Sequence, residues 1–390
     1  MKILIGTHFY TPYIDGGAEI STQLLAEGLV KLGHAVDVVA IGPEDSAEWI
    51  NGVKIIRWYV KHSSEIILRP MIEGMALPGR IARFISKYAE IAYHPILYRR
   101  FANLIDEGGY ELVVTSTSLS HFGRHNLWKA ARGKGKAVVQ IFRDYQLARL
   151  QNGGAVINRL YRAYMSRETC KWVSGAAGCS RAVMDALPDY WRGKPMAVIY
   201  NAVDVPFEKP LSKRNQTVVY AGRVAAEKGI LTLIQAFAIA DVKGSELYIV
   251  GRGALLNGKK LPDNVRLIPW LEKSALYELF RASALVVLPS EWEEPFGRTL
   301  IEAVANGTAA VGANIGGIPE VFGHMEKYLF PPGDAHALAE KIKCYLEASP
   351  TQYNEDIREL QETFSRYTAE NNARSYERFF ESLIITKKAD

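Results

Sequence analysis

The sequence predicts an α/β fold in two domains, each a parallel sheet flanked by helices. Three observations carry this expectation. The chain has 390 residues, more than a single core of ordinary size organises. Short β-type apolar runs alternate with helical patterns from the first residues onward, the βαβ signature of a parallel sheet. Between two such series lies the stretch 201–216, NAVDVPFEKPLSKRNQ, with two prolines and no period, which reads as a linker. The expected division is therefore 1–201 and 202–365, with residues from about 366 crossing back to the first domain.

Hydrophobic content of 48% and charge of 23% are those of a globular protein in water. Three cysteines, Cys170, Cys179 and Cys344, lack metal-ligand spacing, and an odd, sparse count argues against a disulfide framework. The opening MKILIG is too short for the apolar region of a signal peptide, and no uninterrupted apolar stretch is long enough to span a bilayer. A cytoplasmic chain is expected, free or resting on a membrane. Charge is unevenly placed. Residues 1–200 hold 25 Lys+Arg against 17 Asp+Glu, a net +8, while the remaining 22 against 25 give −3. Such one-sidedness speaks of partners rather than of fold.

In the first domain residues 2–6 form the opening strand, the loop THFYTPYIDGGAE follows, and a helix covers 18–32. Gly33 closes that helix, and 35–41 is the next strand. Gly16 and Gly17 stand just before the helix, where glycine lets the backbone approach a ligand; alone they would be a plain turn. The spacing is not GxGxxG, so the dinucleotide fingerprint is absent.

A strand over 53–60 precedes a helical stretch over 80–106 that Pro95 should kink or divide. There Arg80, Arg83, Lys87, Arg99 and Arg100 alternate with Phe84, Tyr88, Tyr93, Tyr98 and Phe101. Such a face suits an anionic bilayer, and equally the outer layer of an α/β domain with its aromatics buried. No nucleic-acid reader motif accompanies it, so nucleic acid is not an expected partner.

Strands over 111–115 and 136–142 place His121 and Arg143-Asp144 just past their carboxyl ends, where ligands gather in open α/β sheets. His121 can equally be structural. Asp144 can orient an acceptor hydroxyl or pair with Arg143, and the pair is the preferred reading. A helical stretch over 155–172, a strand over 174–179, a helix over 181–187 capped by Ser180, and a strand over 197–200 complete the domain.

The second domain opens with a strand over 217–221 that runs into GRVAAEKG and a helix over 230–240. Arg223 and Lys228 are thereby set beside helix-end amides. The planar guanidinium can bond two phosphate oxygens, and the lysine adds a mobile point charge. An ordinary charged surface loop is the alternative. A strand over 246–250 ends in Gly251-Arg252-Gly253, and one over 265–269 leads to Trp270 and Leu271 before a helix over 273–282.

After a strand over 284–288 comes SEWEEPFGRTLIE. Glu294 lies just before the helix start and Glu302 about two turns into it, so the two can reach successive parts of one ligand. The amides around Phe296, Gly297, Arg298 and Thr299 make an anion-friendly helix start. A strand over 309–313, a turn with Gly316 and Gly317, and helices over 334–347, 351–364 and 369–384 follow.

The E-x7-E spacing of Glu294 and Glu302, the PFG directly after the first Glu and the following EA-x-A-x-G resemble the donor-site signature of glycosyltransferase family four (group one). These are retaining, nucleotide-sugar-dependent enzymes of the GT-B fold. Gly222, Arg223, Lys228 and Gly229 match the same family's G-R-x(4)-K-G diphosphate site, and the GGIPE wording at 316–320 is shared. The resemblance implies two Rossmann-like domains facing each other across a cleft, the first holding the acceptor and the second the nucleotide-sugar donor.

It implies that Arg223, Lys228 and the amides near Gly297 stabilise the departing diphosphate, that Glu294 binds sugar hydroxyls and that Glu302 binds the ribose. Gly222, Gly251, Gly253, Phe296, Arg298 and Thr299 fall with the donor site. Trp270 and Leu271 would line the base, a core tryptophan being the alternative. Gly16 and Gly17 would face the donor diphosphate and acceptor, and His121 the donor sugar or acceptor. Departures are Arg143 where the family often has His, Ala202 for the usual Gly and Thr308 for the usual Pro.

Chemistry is thus expected from Glu294, Arg223, Lys228 and His121. A donor phosphate oxygen would take the acceptor proton, with no protein nucleophile. No metal and no cofactor are expected, since EWEE is not a DxD motif and the nucleotide sugar, UDP- or GDP-linked, is a co-substrate. The basic first half suggests an anionic or lipid-linked glycan acceptor at the cytoplasmic face of a membrane. Alternatives are a GT-B-type nucleotide-sugar epimerase and a non-catalytic sugar-nucleotide-binding membrane scaffold.

Overall fold

The computed structural model describes residues 1–14, 16–60, 95–116, 124–145, 167–211 and 215–389. His121 and the expected helical residues 80–94 and 155–166 lie outside that set. The chain divides into two compact units, Met1–Ala202 with Ala369–Asp390, and Val203–Thr368.

The first unit alternates strand and helix. Its described elements are β1 (Lys2–Gly6), α1 (Gly17–Lys31), β2 (Ala35–Ile41), β3 (Ser46–Ile50), β4 (Val53–Trp58), α2 (Pro95–Gly108) and β5 (Leu112–Ser116), then α3 (Arg124–Gly133), β6 (Ala137–Phe142), β7 (Gly175–Gly178), α4 (Arg181–Asp185) and β8 (Met196–Val198). They build an eight-stranded sheet of order β3-β4-β2-β1-β5-β6-β7-β8.

Pairing is parallel throughout except for β3, which turns back on β4. The apolar pattern does not reveal β3, because four of its five residues are exposed. The local signal is Asn51-Gly52, both at positive φ (50° and 79°), the dipeptide that a tight hairpin turn requires. Ser180 caps α4 as the sequence suggests, its hydroxyl accepting from the Val183 amide at 3.1 Å. In α2 the apolar residues Leu97, Phe101 and Ile105 are buried, so this part of the basic, aromatic stretch forms an outer layer of the domain.

The second unit repeats the plan with β9 (Thr217–Ala221), α5 (Ile230–Ala240), β10 (Glu246–Val250), β11 (Val265–Ile268), α6 (Lys273–Ala282), β12 (Leu285–Leu288) and α7 (Arg298–Ala305). There follow β13 (Ala309–Ala313), α8 (Ile318–Val321), β14 (Leu329–Phe330), α9 (Ala335–Leu346) and α10 (Pro350–Phe364). Its six parallel strands run β11-β10-β9-β12-β13-β14. Strands β9, β12 and β13 are buried at every residue, as in a sheet covered on both faces. The chain winds outward from β9 through β10 to β11, then restarts at β12 on the other side of β9. Adjacent loops part at such a reversal, and a crevice opens at the strands' carboxyl ends.

The last helix, α11 (Ala369–Ala389), belongs to the first unit. Tyr376, Phe380 and Leu383 join the core formed by Leu25, Leu29, Val38 and Ile141. Each large side chain so buried contributes about 2–3 kcal/mol. Helices α1 and α11 cross closely enough that a Cβ on Gly28 would sit 2.8 Å from the Ala373 Cβ. Two parallel-sheet α/β domains are thus the observed architecture, as the alternating pattern predicts.

Candidate functional site

The reversal between β9 and β12 gathers the second unit's chemistry. β9 delivers Gly222 and Arg223, then a single 3-10 turn, Ala226–Lys228, and Gly229 in the left-handed region (φ 68°). A Cβ on Gly229 would lie 1.8 Å from the Pro289 carbonyl oxygen at the end of β12, so the two loops meet backbone to backbone. The Glu291 amide donates to the Glu227 carbonyl at 3.0 Å and fixes that meeting.

Lys228 and Glu294 form an ion pair in this place, both side chains nearly covered, at 13% and 12% exposure. The same Glu294 oxygen, Oε1, accepts from the Ser290 hydroxyl at 2.7 Å. The Lys228 ammonium also lies 4.8 Å from the centre of the Trp292 ring. The lysine is therefore held from two sides, by a carboxylate and by an aromatic face.

The GGIPE turn supports Glu294 from behind. The Gly317 amide donates to the Glu294 carbonyl at 2.7 Å, and Gly316 (φ 59°) is so close that a Cβ would stand 2.4 Å from that carbonyl oxygen.

Arg223 stands outside this pair, exposed and bonded to Glu227 four residues on at 2.9 Å, a weak link that a stronger anion can displace. Its carbonyl accepts from the Tyr220 hydroxyl at 2.7 Å, which pins the turn after β9. Burial, and then the Glu294 carboxylate, push the Tyr220 phenol well above its ordinary value, so it remains a donor.

Helix α7 starts at Gly297 (φ 112°), which caps it without a side-chain hydrogen bond, so its first turn, with Arg298 and Thr299, carries the partial positive charge of a helix N-terminus. Phe296 is buried edge-to-face on Tyr367, with ring centres 5.4 Å apart; what it can offer a ligand is its backbone amide. Glu302 accepts from Arg298 Nε at 2.9 Å and Nη2 at 2.7 Å, both on Oε1.

Gly251 and Gly253 have a reason inside the chain. A Cβ on either would lie 1.8 Å from the Gly222 carbonyl oxygen or 1.9 Å from that of Val224, so the loops after β9 and β10 stack directly. Trp270 is 53% exposed, and the Arg252 guanidinium lies 5.4 Å over its ring. It is not a core tryptophan.

In the first unit Gly16 precedes α1 with extended backbone, and nothing lies within 4 Å of where a Cβ on Gly17 would point, so internal packing does not ask for glycine there. Arg143 is buried, donating to Asn201 Oδ1 at 2.5 Å and to the Ser21 carbonyl at 3.2 Å, which ties the end of β6 to α1. Asp144, beside it, is partly buried.

Among the described residues no three His, Cys, Asp or Glu side chains converge as a metal site would require. A pocket of about 480 Å³ lined by Arg181, Met184, Trp191 and Met196 lies in the first unit and shares no residue with the groups above.

The structure brings Lys228, Glu294, Gly222, Gly229, Gly251 and Gly253 together in one packed set of loops, with Arg223 beside them and Glu302 further along α7. Sequence reading did not single out Tyr220, Ser290 and Trp292, which the structure packs against these groups. Ser290 and Trp292 stand inside the signature itself, whereas Tyr220 lies on a strand with no local mark.

Residues 204–369 match the family Glycosyl transferases group 1, and residues 15–206 match Glycosyltransferase Family 4. An uncharacterised 42.6 kDa protein in the cps region of Klebsiella pneumoniae is 28% identical over 82% of this chain and 87% of its own length. An uncharacterised glycosyltransferase of Methanocaldococcus jannaschii is 26% identical over 83% of each chain.

Among solved structures, sucrose-phosphate synthase from Thermosynechococcus elongatus superposes with a TM-score of 0.75 at 20% identity over 99% of both chains. HepE of Anabaena, solved with UDP and glucose, gives 0.69 at 18% identity over 98% of this chain and 100% of its own. The fold is that of the GT-B glycosyltransferases.

Proposed function

This chain belongs to the group 1 glycosyltransferases, with a family 4 domain ahead of the group 1 domain, and from that premise we propose that it is a retaining, metal-independent enzyme. It moves a sugar from a nucleoside diphosphate, UDP or GDP, to an acceptor hydroxyl. The observation that carries this reading is the Lys228–Glu294 pair at the sheet's reversal point, beside Arg223 and the start of α7.

Breaking the bond between the anomeric carbon and the phosphate oxygen leaves negative charge on the diphosphate. Fixed cations and helix-start amides aimed there stabilise that charge in the transition state more than in the ground state. Lys228 serves the leaving diphosphate on one side, while Glu294, held by Ser290 and the Gly317 amide, accepts hydrogen bonds from sugar hydroxyls on the other. Arg223, released from Glu227, adds a planar fork suited to phosphate. A donor phosphate oxygen takes the acceptor proton. Trp270 offers an exposed face for the base, and Glu302 accepts from the ribose.

The acceptor is a glycan or lipid-linked chain in polysaccharide assembly, which agrees with the cps region named for the Klebsiella relative. No described helix is long and apolar enough to cross a membrane. The basic first half, net +8 over residues 1–200, would meet anionic lipid at the inner face of the cell membrane.

Thermal stabilisation by UDP, GDP and ADP and their sugar conjugates, with EDTA present, tests the donor site. A rise with one base that Arg223→Ala or Glu302→Ala abolishes supports the reading. No rise with any nucleotide overturns it. Flotation with liposomes tests the membrane element, which fails if binding ignores anionic lipid and salt.

A further inference from the structure

Strands β6, β7 and β8 lie side by side and parallel, so the three loops that enter them share one rim at the strands' amino ends. Those loops read Gly133-Lys134-Gly135-Lys136, Lys171-Trp172-Val173-Ser174 and Gly193-Lys194-Pro195, and none of them carries a carboxylate. Contacts between them make the rim continuous. Arg132, at the end of α3, donates from Nη1 to the Ser174 hydroxyl at 3.3 Å, and the Lys194 ammonium donates to the Val173 carbonyl at 3.0 Å. The half-buried Trp172 ring has the Lys129 and Lys171 ammoniums 5.6 and 5.3 Å from its centre.

Arg132, Lys136, Lys171 and Lys194 form no ion pair among the described residues. The carboxylates bordering the rim are engaged elsewhere: Asp106 by Lys134 at 2.5 Å, and Asp189 by Arg192 at 3.0 Å. Glu168 accepts from the Trp172 indole N–H at 3.4 Å. Arg132 and Lys171 gain something from the carbonyl ends of their helices, but Lys136 and Lys194 stand on loops. Like charges gathered without counter-charge repel one another and do not serve the fold, so they point to an external anion. The patch is an open rim with an indole among its cations, and Met196, 39% exposed, follows directly on Lys194 and Pro195. Indoles favour the boundary where charged headgroups meet apolar chains, and lysines around one suit an anionic boundary.

We propose that this rim, with Trp172 among Arg132, Lys136, Lys171 and Lys194, is the face by which the chain docks on an anionic bilayer. The proposal rests on the membrane element of the reading above and gives it a place and an orientation. Ligands gather at the opposite, carboxyl ends of parallel strands. Strand β6 has six residues, so that end stands about 20 Å from the docked rim. An acceptor has to reach across this distance, which suits a glycan chain extended from its lipid rather than a bare lipid phosphate.

The test uses vesicles of phosphatidylcholine, with and without phosphatidylglycerol, and measures partition of the whole chain. Each cation near an anionic surface raises affinity about fivefold. Lys136→Gln with Lys171→Gln should therefore weaken binding to the anionic vesicles about tenfold or more. Lys259→Gln with Lys260→Gln removes the same charge from exposed positions of the second unit and should change binding less than twofold. Brominated lipid should quench tryptophan emission of the wild type, and Trp172→Phe should remove most of that quenching. Trp49→Phe, which alters an exposed indole on β3 at the sheet's far edge, should leave it in place.

Equal losses in the two lysine pairs reduce the effect to net charge and overturn the proposal. So does quenching that survives Trp172→Phe or disappears in Trp49→Phe. In those cases vesicle binding persists, and the membrane element stands without this surface. If the wild type ignores anionic vesicles, the membrane element itself fails and this inference falls with it. Displacement from vesicles by duplex DNA at equal phosphate concentration would assign the rim to nucleic acid and likewise overturn the proposal.

Discussion

Glu294 and Lys228 lie 66 positions apart in the chain, yet they form an ion pair across the one place where the second sheet reverses its strand order. Each side chain has lost most of its water, so the pair's value depends on both members being present. Removing one leaves a desolvated charge behind. Lys228→Met or Glu294→Gln alone should therefore cost the second unit about 3 kcal/mol or more. The double variant should cost clearly less than the sum. Urea unfolding in a double-mutant cycle checks this, and strict additivity would show that the pair is not coupled.

Gly316 holds Glu294 in register from behind. Gly316→Ala forces a Cβ to within 2.4 Å of the Glu294 carbonyl oxygen at a left-handed backbone position. Gly333→Ala is the control, with φ 77° and open space around it. The control should lose only the left-handed cost, about 1–2 kcal/mol. Gly316→Ala should lose more and should also depress glycosyl transfer at least tenfold, because the carboxylate moves with its backbone. Equal effects of the two substitutions on stability and turnover would refute the positioning role.

The C-terminal helix is part of the first unit's core. Phe380 is fully buried among residues that include Leu29 and Ile141. Phe380→Ala should cost about 3–5 kcal/mol. Hydrogen exchange should show the loss of protection in β1 and β6, with β9 and β12 retaining theirs. Even weakening across both sheets would contradict the assignment of α11 to one unit.

A carboxylate far from the candidate site supplies a pH signature. The Lys327 ammonium bonded to Glu359 holds that carboxyl below its usual value of 4.5, against the opposing effect of burial, and the Tyr328 hydroxyl donates to it at 2.8 Å. A depressed folded-state pKa means stability that is fully present above about pH 4.5 and is lost as pH falls through the lower folded value. Both partners are well exposed, so the effect should stay below about 1 kcal/mol. The stability difference between wild type and Glu359→Gln, followed by urea unfolding from pH 6 down to pH 3, should shrink as the pH drops. A constant difference would remove the ion pair as its cause.

Much of the architecture was legible along the chain because parallel strands buried on both faces are continuous apolar runs. Thr217–Ala221 and Ala309–Ala313 begin and end where such runs meet glycine or polar residues. Strand β3 escaped that logic. Its side chains are exposed, and only its turn and its pairing with β4 make it a strand. The motif residues Arg223, Lys228, Glu294 and Glu302 could be named from spacing, since a helix and a strand-end loop impose fixed offsets on nearby residues.

What spacing does not contain is the partner of each group. That Lys228 meets Glu294, that Gly251 stacks on Gly222 and that the Gly317 amide holds the Glu294 carbonyl all follow from how separate elements pack. The sequence alone determined which residues are chemically able, because side-chain chemistry and local backbone period are properties of the chain itself. Only the tertiary structure decided which of them meet, because strand order and helix packing are set by long-range burial that no local pattern records.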